Sequence, residues 1–479
     1  MRNYLLSGWL VLVFVLPVAL WAQAPATANL VKESYNFTTY DGQNFPAELF
    51  TLTVAARPGH TDSIRLKFVR LRTLASNPRS PLVFLAGGPG IPGIGIAKVP
   101  VYFSLFRWLQ QDRDVILLDQ RGCGMSIPNL QLPLARYSDT AFLSEKTLVA
   151  EWAAYVRHGV DSVRKTGIDL ADYTMPASAG DIESIRMALG APMVSLLGWS
   201  YGTALALEYT RRYGANLDKL VLMGTEGPDD VYPLPATWDA QITTISNLVA
   251  RDSAAGPKMP DMQGTLKRVL ARLDREPVTL TISEELGGPV RHIRVGAIGL
   301  LTVLRNSIGN GRWMGSVPKL VYDIDRGVYS GFQIQMEGLY RSFALSLMEL
   351  AVDYSSGAST ARMREIEKEN RSAVLYNLSM QWGEDVAGQL GVPRRPAGEP
   401  VRSSTPTLFV TGSLDVSTPY VQAEAVRSGF PNSMHVLVEN GGHETIPVKE
   451  VQQIVVDFLR GAQKVKEKVV LERVRFEPL

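Results

Sequence analysis

The chain has 479 residues, of which 49 are Lys or Arg and 47 are Asp or Glu. This nearly neutral balance excludes the basic stripe of a nucleic-acid-binding protein and a charged funnel for acidic ligands. Apolar residues make up 46% of the sequence, as in ordinary globular proteins. The length suffices for one large α/β domain with an insertion, or for two domains.

Residues 1–24 have the pattern of a secretory signal peptide. Arg2 supplies a positive start, residues 4–20 form an apolar centre, and Ala22-Gln23-Ala24 offers a small-x-small cleavage pattern. Cleavage is expected after Ala24, or after Ala22 because Pro25 makes the first site imperfect. The alternative is an uncleaved anchor, but the apolar stretch is short for a span and no charge cluster follows it. We therefore expect an exported protein, periplasmic or extracellular, with no stable membrane span after signal removal.

The segment 25–228 alternates between strand and helix patterns. Residues 66–71 alternate apolar and polar side chains, which predicts a half-exposed antiparallel strand. Continuous apolar runs then predict strands that are buried on both faces, at 81–85, 115–118, 194–197 and 220–223. Helical patterns lie between them at 181–189 and 203–213. This order predicts an α/β fold in which helices cover both faces of a mostly parallel sheet.

The alternation stops near Pro228, and the segment 229–400 is mostly helical in pattern. A Pro-rich stretch at 391–400 leads into the last part, 401–479, where strands are predicted at 407–410 and 435–438. Because the sheet pattern resumes there, we expect 229–400 to be a large inserted helical cap or lid. It is expected over the carboxyl edge of the sheet, where α/β proteins bind ligands. The alternative is an independent helical domain.

The pentapeptide Gly198-Trp199-Ser200-Tyr201-Gly202 has the pattern G-x-S-x-G between a predicted strand and a predicted helix. A serine on such a tight turn presents its hydroxyl to a base and to a substrate carbonyl, and glycines permit the strained backbone. The pattern therefore predicts that Ser200 is a nucleophile, with a plain Gly-rich turn as the alternative.

A serine nucleophile needs a base, and the base needs a group that orients it. His443 in Asn440–Glu444 and Asp415 in Val410–Asp415 each follow a predicted strand, in the chain order Ser, Asp, His. The alternative for His443 is a surface loop histidine. The alternatives for Asp415 are Asp119, which follows an earlier strand, and Asp181, which fits a helix N-terminal position better.

An oxyanion hole needs two backbone donors. We expect the N–H of Tyr201 at the helix N-terminus and the N–H of Gly88, in Ala86-Gly87-Gly88-Pro89-Gly90, to supply them. The alternative for Gly88 is a Gly-Pro turn. Cys123, the single cysteine, excludes an internal disulfide, and a packing or turn role suits it better than a nucleophilic one. No metal-ligand spacing, phosphate loop or dinucleotide fingerprint occurs, so neither a metal nor a cofactor is expected.

These motifs resemble the proline iminopeptidase and tripeptidyl aminopeptidase branch of the α/β-hydrolases. The resemblance rests on Gly87–Gly90, Asp119–Ser126 and Gly198–Gly202, and Thr411–Pro419 is similar to the C-terminal segment of tripeptidyl aminopeptidases. It covers most of residues 80–225 and 400–460 and implies the α/β-hydrolase fold.

Two departures favour the tripeptidyl type over a strict proline iminopeptidase. Ala86 stands where iminopeptidases often have histidine, and Tyr201 follows the serine where they usually have tryptophan, which here precedes it as Trp199. In this branch acidic groups near the cap bind the free amine of the substrate. The resemblance implies that role for Glu226, at the junction of sheet and cap, with a solvated loop carboxylate as the alternative.

The hypothesis from the sequence is an exported serine hydrolase that releases N-terminal residues or short peptides through Ser200, His443 and Asp415. One alternative is a carboxylic-ester hydrolase of the same fold. Another, of a different class, is a non-catalytic binding protein on a hydrolase scaffold. The expected partner is a peptide or small-molecule substrate, not a nucleic acid, and no oligomeric state is predicted.

Overall fold

The computed structural model describes residues 30–57, 59–283, 288–309, 313–342, 344–376, 388–394 and 399–479. The predicted signal peptide lies outside these described residues. Within them, no helix combines the length and the apolar character needed to cross a membrane.

Ten strands of the described chain form one mixed sheet in the order β1-β2-β3-β5-β4-β6-β7-β10-β11-β12, and β8 and β9 form a separate hairpin. Strands β1 to β3 pair antiparallel, as does β3 with β5, and every other neighbouring pair in the large sheet is parallel. The strands are β1 (Leu30–Thr38), β2 (Asn44–Ala55), β3 (Ser63–Leu71), β4 (Leu82–Leu85), β5 (Val115–Asp119), β6 (Val194–Trp199), β7 (Leu217–Met223), β8 (Val278–Ser283), β9 (Val290–Val295), β10 (Thr407–Gly412), β11 (Ser433–Glu439) and β12 (Lys468–Val470).

The helices fall into a group that covers the sheet and a group from the inserted segment. Those before the insertion are α1 (Gly93–Ala97), α2 (Pro100–Leu109), α3 (Glu145–Arg164), α4 (Met175–Ala188) and α5 (Tyr201–Tyr213). Those within it are α6 (Pro235–Arg251), α7 (Met262–Arg275), α8 (Ala297–Ile308), α9 (Val317–Asp325), α10 (Ser330–Ser342), α11 (Leu347–Ser356) and α12 (Thr360–Asn370), and after it come α13 (Tyr420–Arg427) and α14 (Lys449–Arg460).

The continuous apolar runs of the central strands are buried on both faces because successive side chains of a strand point in opposite directions. In β4, Val83 and Leu85 join the core under α3, α4 and α5. Leu82 and Phe84 join a second core, under α1, α2 and α14. The predicted α/β fold, with helices on both faces of a mostly parallel sheet, is therefore confirmed.

The helical region after the first part of the sheet has a hydrophobic core of its own, built largely from α6 to α10, and it fits the predicted cap. Two features of this region differ from the sequence-based expectation. The hairpin β8–β9 adds strands to a segment predicted as mostly helical. Helix α11 packs Leu347, Met348 and Val352 into the core of the sheet instead of the cap core.

Candidate active site

Ser200 lies on a one-residue turn between β6 and α5. Its backbone has φ 56° and ψ −130°, a conformation that non-glycine residues rarely adopt. The N–H of Ser200 donates to the carbonyl of Met223 at the end of β7, with an N–O distance of 2.9 Å. The turn is thus fixed to the neighbouring strand, and Ser200 itself remains partly exposed. Backbone strain of this kind is typical of functional positions.

Both glycines of the pentapeptide are required by close backbone approaches. A Cβ atom on Gly202 would lie 2.0 Å from the carbonyl oxygen of Leu85 in β4. A Cβ atom on Gly198 would lie 2.4 Å from the carbonyl oxygen of Gly202. No side chain fits at these distances. The glycines therefore allow α5 to pack closely against the strands and leave Ser200 partly exposed.

Asp415 and His443 follow β10 and β11, at the same sheet edge as Ser200. The Nδ1 atom of His443 and the Oδ2 atom of Asp415 are 2.9 Å apart. An ionised carboxylate only accepts hydrogen bonds, so this contact favours the tautomer with the proton on Nδ1, in which the Nε2 of a neutral imidazole could accept a proton. Burial lowers the pKa of His443, but the Asp415 carboxylate, with smaller contributions from Glu444 and Glu226, raises it above its ordinary value of 6.5.

The two alternatives to Asp415 have other partners. Asp119 accepts hydrogen bonds from the backbone N–H groups of Ile94 and Met125, and burial raises its pKa to about 6. Asp181 forms a buried ion pair with Arg121 at 2.6 Å. The prediction of a helix N-terminal position for Asp181 is wrong, because α4 begins at Met175 and Asp181 lies in its second turn.

The glycine loop after β4 contacts Ser200. A Cβ atom on Gly87 would lie 2.9 Å from the Cβ and 3.5 Å from the Oγ of Ser200. Gly88 has φ +113°, and a Cβ atom there would lie 2.7 Å from the N atom of Gly90. Tyr201 is the first residue of α5, so its N–H has no carbonyl within the helix to bond. The structure thus brings the loop and the helix start to Ser200, and the oxyanion-hole roles of Gly88 and Tyr201 stay predictions.

Cys123 is buried in the turn after β5. Its Sγ atom lies 3.3 Å from the carbonyl oxygen of Gln120, and burial raises the pKa of the thiol. A buried thiol with a raised pKa is a poor nucleophile, in agreement with the predicted packing or turn role.

The cap region contacts the loops that carry Asp415 and His443. The Leu414 and Val416 side chains, on either side of Asp415, belong to the cap core. The Gln241 side-chain amide of α6 donates to the carbonyl of Leu414 at 3.3 Å. The N–H of His443 donates to the carbonyl of Gly309, just after α8, at 3.4 Å. Packing of the cap therefore helps to fix the positions of Asp415 and His443.

Three carboxyl groups cluster beside the N-terminus of α5. Burial and the charge of Asp230 raise the pKa of Glu226 to about 7, against a smaller lowering effect of His443. Burial also raises the pKa of Glu349 to about 7. The pKa of Asp353 lies well above its ordinary value, through burial and the charges of Glu349 and Glu226. All three residues are half-buried, and the raised pKa of Glu226 disfavours the alternative of a fully solvated loop carboxylate.

No Lys or Arg within the described residues forms an ion pair with any member of this carboxyl cluster (Glu226, Glu349 and Asp353). Burial, with smaller contributions from the charges of Asp353 and Glu226, also raises the pKa of Tyr201, which directly follows Ser200. A half-buried cluster of acids with no cation of its own among the described residues is suited to receive a cation from a ligand. In the described part of the chain no group of three or more His, Cys, Asp or Glu is arranged to hold a metal ion.

The sequence reasoning missed Glu349 and Asp353, which lie one turn apart on α11. This helix reaches the site because Ser346, directly before it, packs against Gly90 of the glycine loop. The spacing Ser346-x-x-Glu349 is a capping-box signal for a helix start, but only half of the box forms: the backbone N–H of Ser346 donates to Glu349, while the Ser346 hydroxyl makes no cap hydrogen bond. That signal predicts a helix, but nothing in the sequence indicates that the helix packs beside Gly90.

Two family models match the chain. The model for the alpha/beta hydrolase fold matches residues 80–269, and the model for TAP-like protein matches residues 378–469. These matches confirm the resemblance seen in the motifs.

Three curated relatives show similarity at low identity. Putative hydrolase YuaR of Escherichia coli is 30% identical over 174 residues, which cover 35% of this chain and 32% of that protein. Serine protease Hip1 of Mycobacterium tuberculosis is 28% identical over 157 residues, which cover 31% and 30%. Tripeptidyl aminopeptidase of Streptomyces lividans is 26% identical over 159 residues, which cover 32% and 30%. The chain thus spans about a third of the length of the curated relatives that it matches.

Proposed function

We propose that this chain, which matches family models of the alpha/beta hydrolase fold and of TAP-like protein, is a serine hydrolase of the aminopeptidase type, which releases N-terminal residues or short peptides from peptides. The observation that carries the proposal is the carboxyl cluster beside the serine turn. A hydrolase that acts on neutral esters does not require three half-buried carboxyls at this place. An enzyme that recognises a free N-terminal ammonium needs such a counter-charge.

In the proposed reaction, the Oγ atom of Ser200 attacks the carbonyl carbon of the scissile bond. The Nε2 atom of His443 takes the hydroxyl proton and later gives it to the leaving amine. Asp415 holds the imidazole through Nδ1 and stabilises the imidazolium that forms. The negative charge on the carbonyl oxygen is stabilised by the N–H groups of Tyr201 and Gly88. Water then attacks the carbonyl carbon of the acyl-enzyme while Nε2 of His443 takes its proton. The proton is passed to the Oγ atom of Ser200 as that oxygen leaves.

The ammonium group of the substrate would lie among Glu226, Glu349 and Asp353. The positive charge of the ammonium stabilises the ionised forms of these carboxyls, whose raised pKa values otherwise favour protonation. The distance between this cluster and Ser200 limits how many residues fit between the ammonium and the scissile bond. We also propose export, on the basis of the signal-peptide pattern in residues 1–24.

The proposed nucleophile is tested by labelling with a fluorophosphonate, which reacts with activated serines. The wild-type protein should be labelled on Ser200, as located by peptide mass spectrometry. The S200A variant should lose both the label and hydrolysis of peptide amides and esters, by a factor of about 10³–10⁶. A matched S184A variant, on the helix α4, should retain both. Full hydrolysis by a folded S200A variant would overturn the proposal.

A further inference from the structure

Thr418 lies in the loop between β10 and α13 and contacts the Asp415 carboxylate twice. Its backbone N–H donates to Oδ1 of Asp415 at 2.9 Å, and its hydroxyl donates to Oδ2 at 2.7 Å. The N–H of Ser417 also donates to Oδ1 at 2.9 Å. Both carboxylate oxygens therefore have donors from the same loop, in addition to the hydrogen bond from His443.

The Thr418 hydroxyl is also close to the imidazole of His443. Its Oγ1 atom lies 3.2 Å from Nδ1 of His443, while Nδ1 lies 2.9 Å from Oδ2 of Asp415. Because the carboxylate only accepts, the single hydroxyl proton points to Asp415. A lone pair of the hydroxyl oxygen then faces the Nδ1–H of His443. The three groups form a closed triangle in which the imidazole proton has a second, weaker acceptor.

The surroundings leave the Thr418 side chain little freedom. Thr418 is 2% exposed, and it precedes Pro419, which restricts its backbone to extended conformations. Gly224, which follows β7 with φ +62°, faces the triangle from another side. A Cβ atom on Gly224 would lie 2.9 Å from Oγ1 of Thr418 and 3.1 Å from Cε1 of His443. The glycine thus leaves the space that the hydroxyl and the imidazole occupy.

The structure assigns to Thr418 the role of a positioning residue that fixes the rotation of the Asp415 carboxylate and, through it, the imidazole of His443. This inference rests on the proposed function, since Thr418 acts only through these two groups. The hydroxyl contributes when the imidazolium forms, because it holds Oδ2 of Asp415 in line with Nδ1 of His443. Its oxygen also stabilises the positive charge that develops on the imidazole. It does not touch the substrate, so it affects turnover and not binding.

Three variants test this role. T418V keeps the shape of the side chain and removes the hydroxyl, whereas T418S keeps the hydroxyl. The matched control is T407V. Thr407 is also a buried threonine, but it lies at the start of β10, away from Asp415, and its hydroxyl donates to the carbonyl of Thr405. The readouts are kcat and KM on an activated ester, the rate of fluorophosphonate labelling of Ser200, and the melting temperature.

T418V should lower kcat and the labelling rate by about tenfold to hundredfold, the usual effect of losing a hydrogen bond to a buried charged group, with little change in KM. T418S should restore most of the rate, and T407V should keep it even if its melting temperature falls. If T418V does not fold, T418A replaces it. Labelling of a folded T418V at the wild-type rate, or equal loss in T418S and T418V, would overturn the role of Thr418. Failure of wild-type protein to label at Ser200 would instead overturn the proposed function.

Discussion

Replacement of Glu226 by Gln tests the carboxyl cluster with almost no change in side-chain shape. Removal of one partner from a buried charge pair costs about 2–5 kcal/mol. In the proposed complex Glu349 and Asp353 would remain beside the substrate ammonium, and loss of the Glu226 charge would let Asp353 ionise more easily, so the lower end of that range applies. A cost of about 2 kcal/mol corresponds to a loss of roughly 30-fold in kcat/KM on substrates with a free amine.

The assay compares matched peptide amides that differ only in N-terminal acetylation, together with a simple ester. E226Q should lose kcat/KM on the free-amine substrate, mainly through KM, and keep wild-type rates on the acetylated peptide and the ester. The matched control is E208Q, because Glu208 is a glutamate of the same domain that lies on α5 and pairs with Arg212 instead of joining the carboxyl cluster. Equal losses on all three substrates, or no loss on the free-amine peptide, would refute the assignment of Glu226.

The same variant has a predicted signature in stability. The pKa of Glu226 is about 7 in the folded protein, against an ordinary 4.5, so the folded state binds more protons between these values. Stability contributed by this group is therefore lost as the pH rises through this window. E226Q removes the buried charge, so it should melt at a higher temperature than the wild type at pH 8 and close to it at pH 5. A lower melting temperature at pH 8 would contradict a desolvated carboxylate.

Three further outcomes are expected. G202A should fold poorly and lose Ser200 labelling, because its Cβ would lie 2.0 Å from the Leu85 carbonyl oxygen; thermal unfolding should show a loss of at least about 1–3 kcal/mol. Ester hydrolysis should fall as the pH drops through the raised pKa of His443. D415N should lower kcat by a factor of about 10⁴ and move this acidic fall in rate to lower pH, because the carboxylate no longer raises the pKa of the imidazole. An unchanged position of the acidic fall would contradict the pairing of Asp415 with His443. L414A should cost about 2–5 kcal/mol in the cap core and slow labelling of Ser200, whereas unchanged labelling would show that cap packing does not position Asp415.

The central strands could be predicted from sequence because burial on both faces leaves a continuous apolar run. Residues 115–118 and 194–197 were recognisable for this reason, and both lie within the strands β5 and β6. The hairpin β8–β9 was missed although Val278–Ser283 alternates apolar and polar residues, since the helical character of the surrounding segment dominated the pattern. Short strands inside a long helical insertion carry too few residues to stand out.

The site could be predicted where its chemistry is local in sequence. Ser200, Asp415 and His443 each follow a strand, and the parallel sheet brings all three strand ends to one edge. The acidic residues of α11 could not be found in this way, because the position of that helix depends on long-range packing against Gly90 and the sheet core. Thr418 lay within a recognised motif, but its hydrogen bonds to Asp415 become visible only in three dimensions.

The central claim is that this hydrolase selects substrates by their free N-terminal amine. The most direct measurement is the ratio of kcat/KM for a peptide amide with a free amine to that for its N-acetylated form, with S200A protein as the blank. The half-buried carboxyl cluster predicts a ratio of about 10² or more, equivalent to about 3 kcal/mol of recognition. A ratio near one, or a preference for the acetylated peptide, would contradict it.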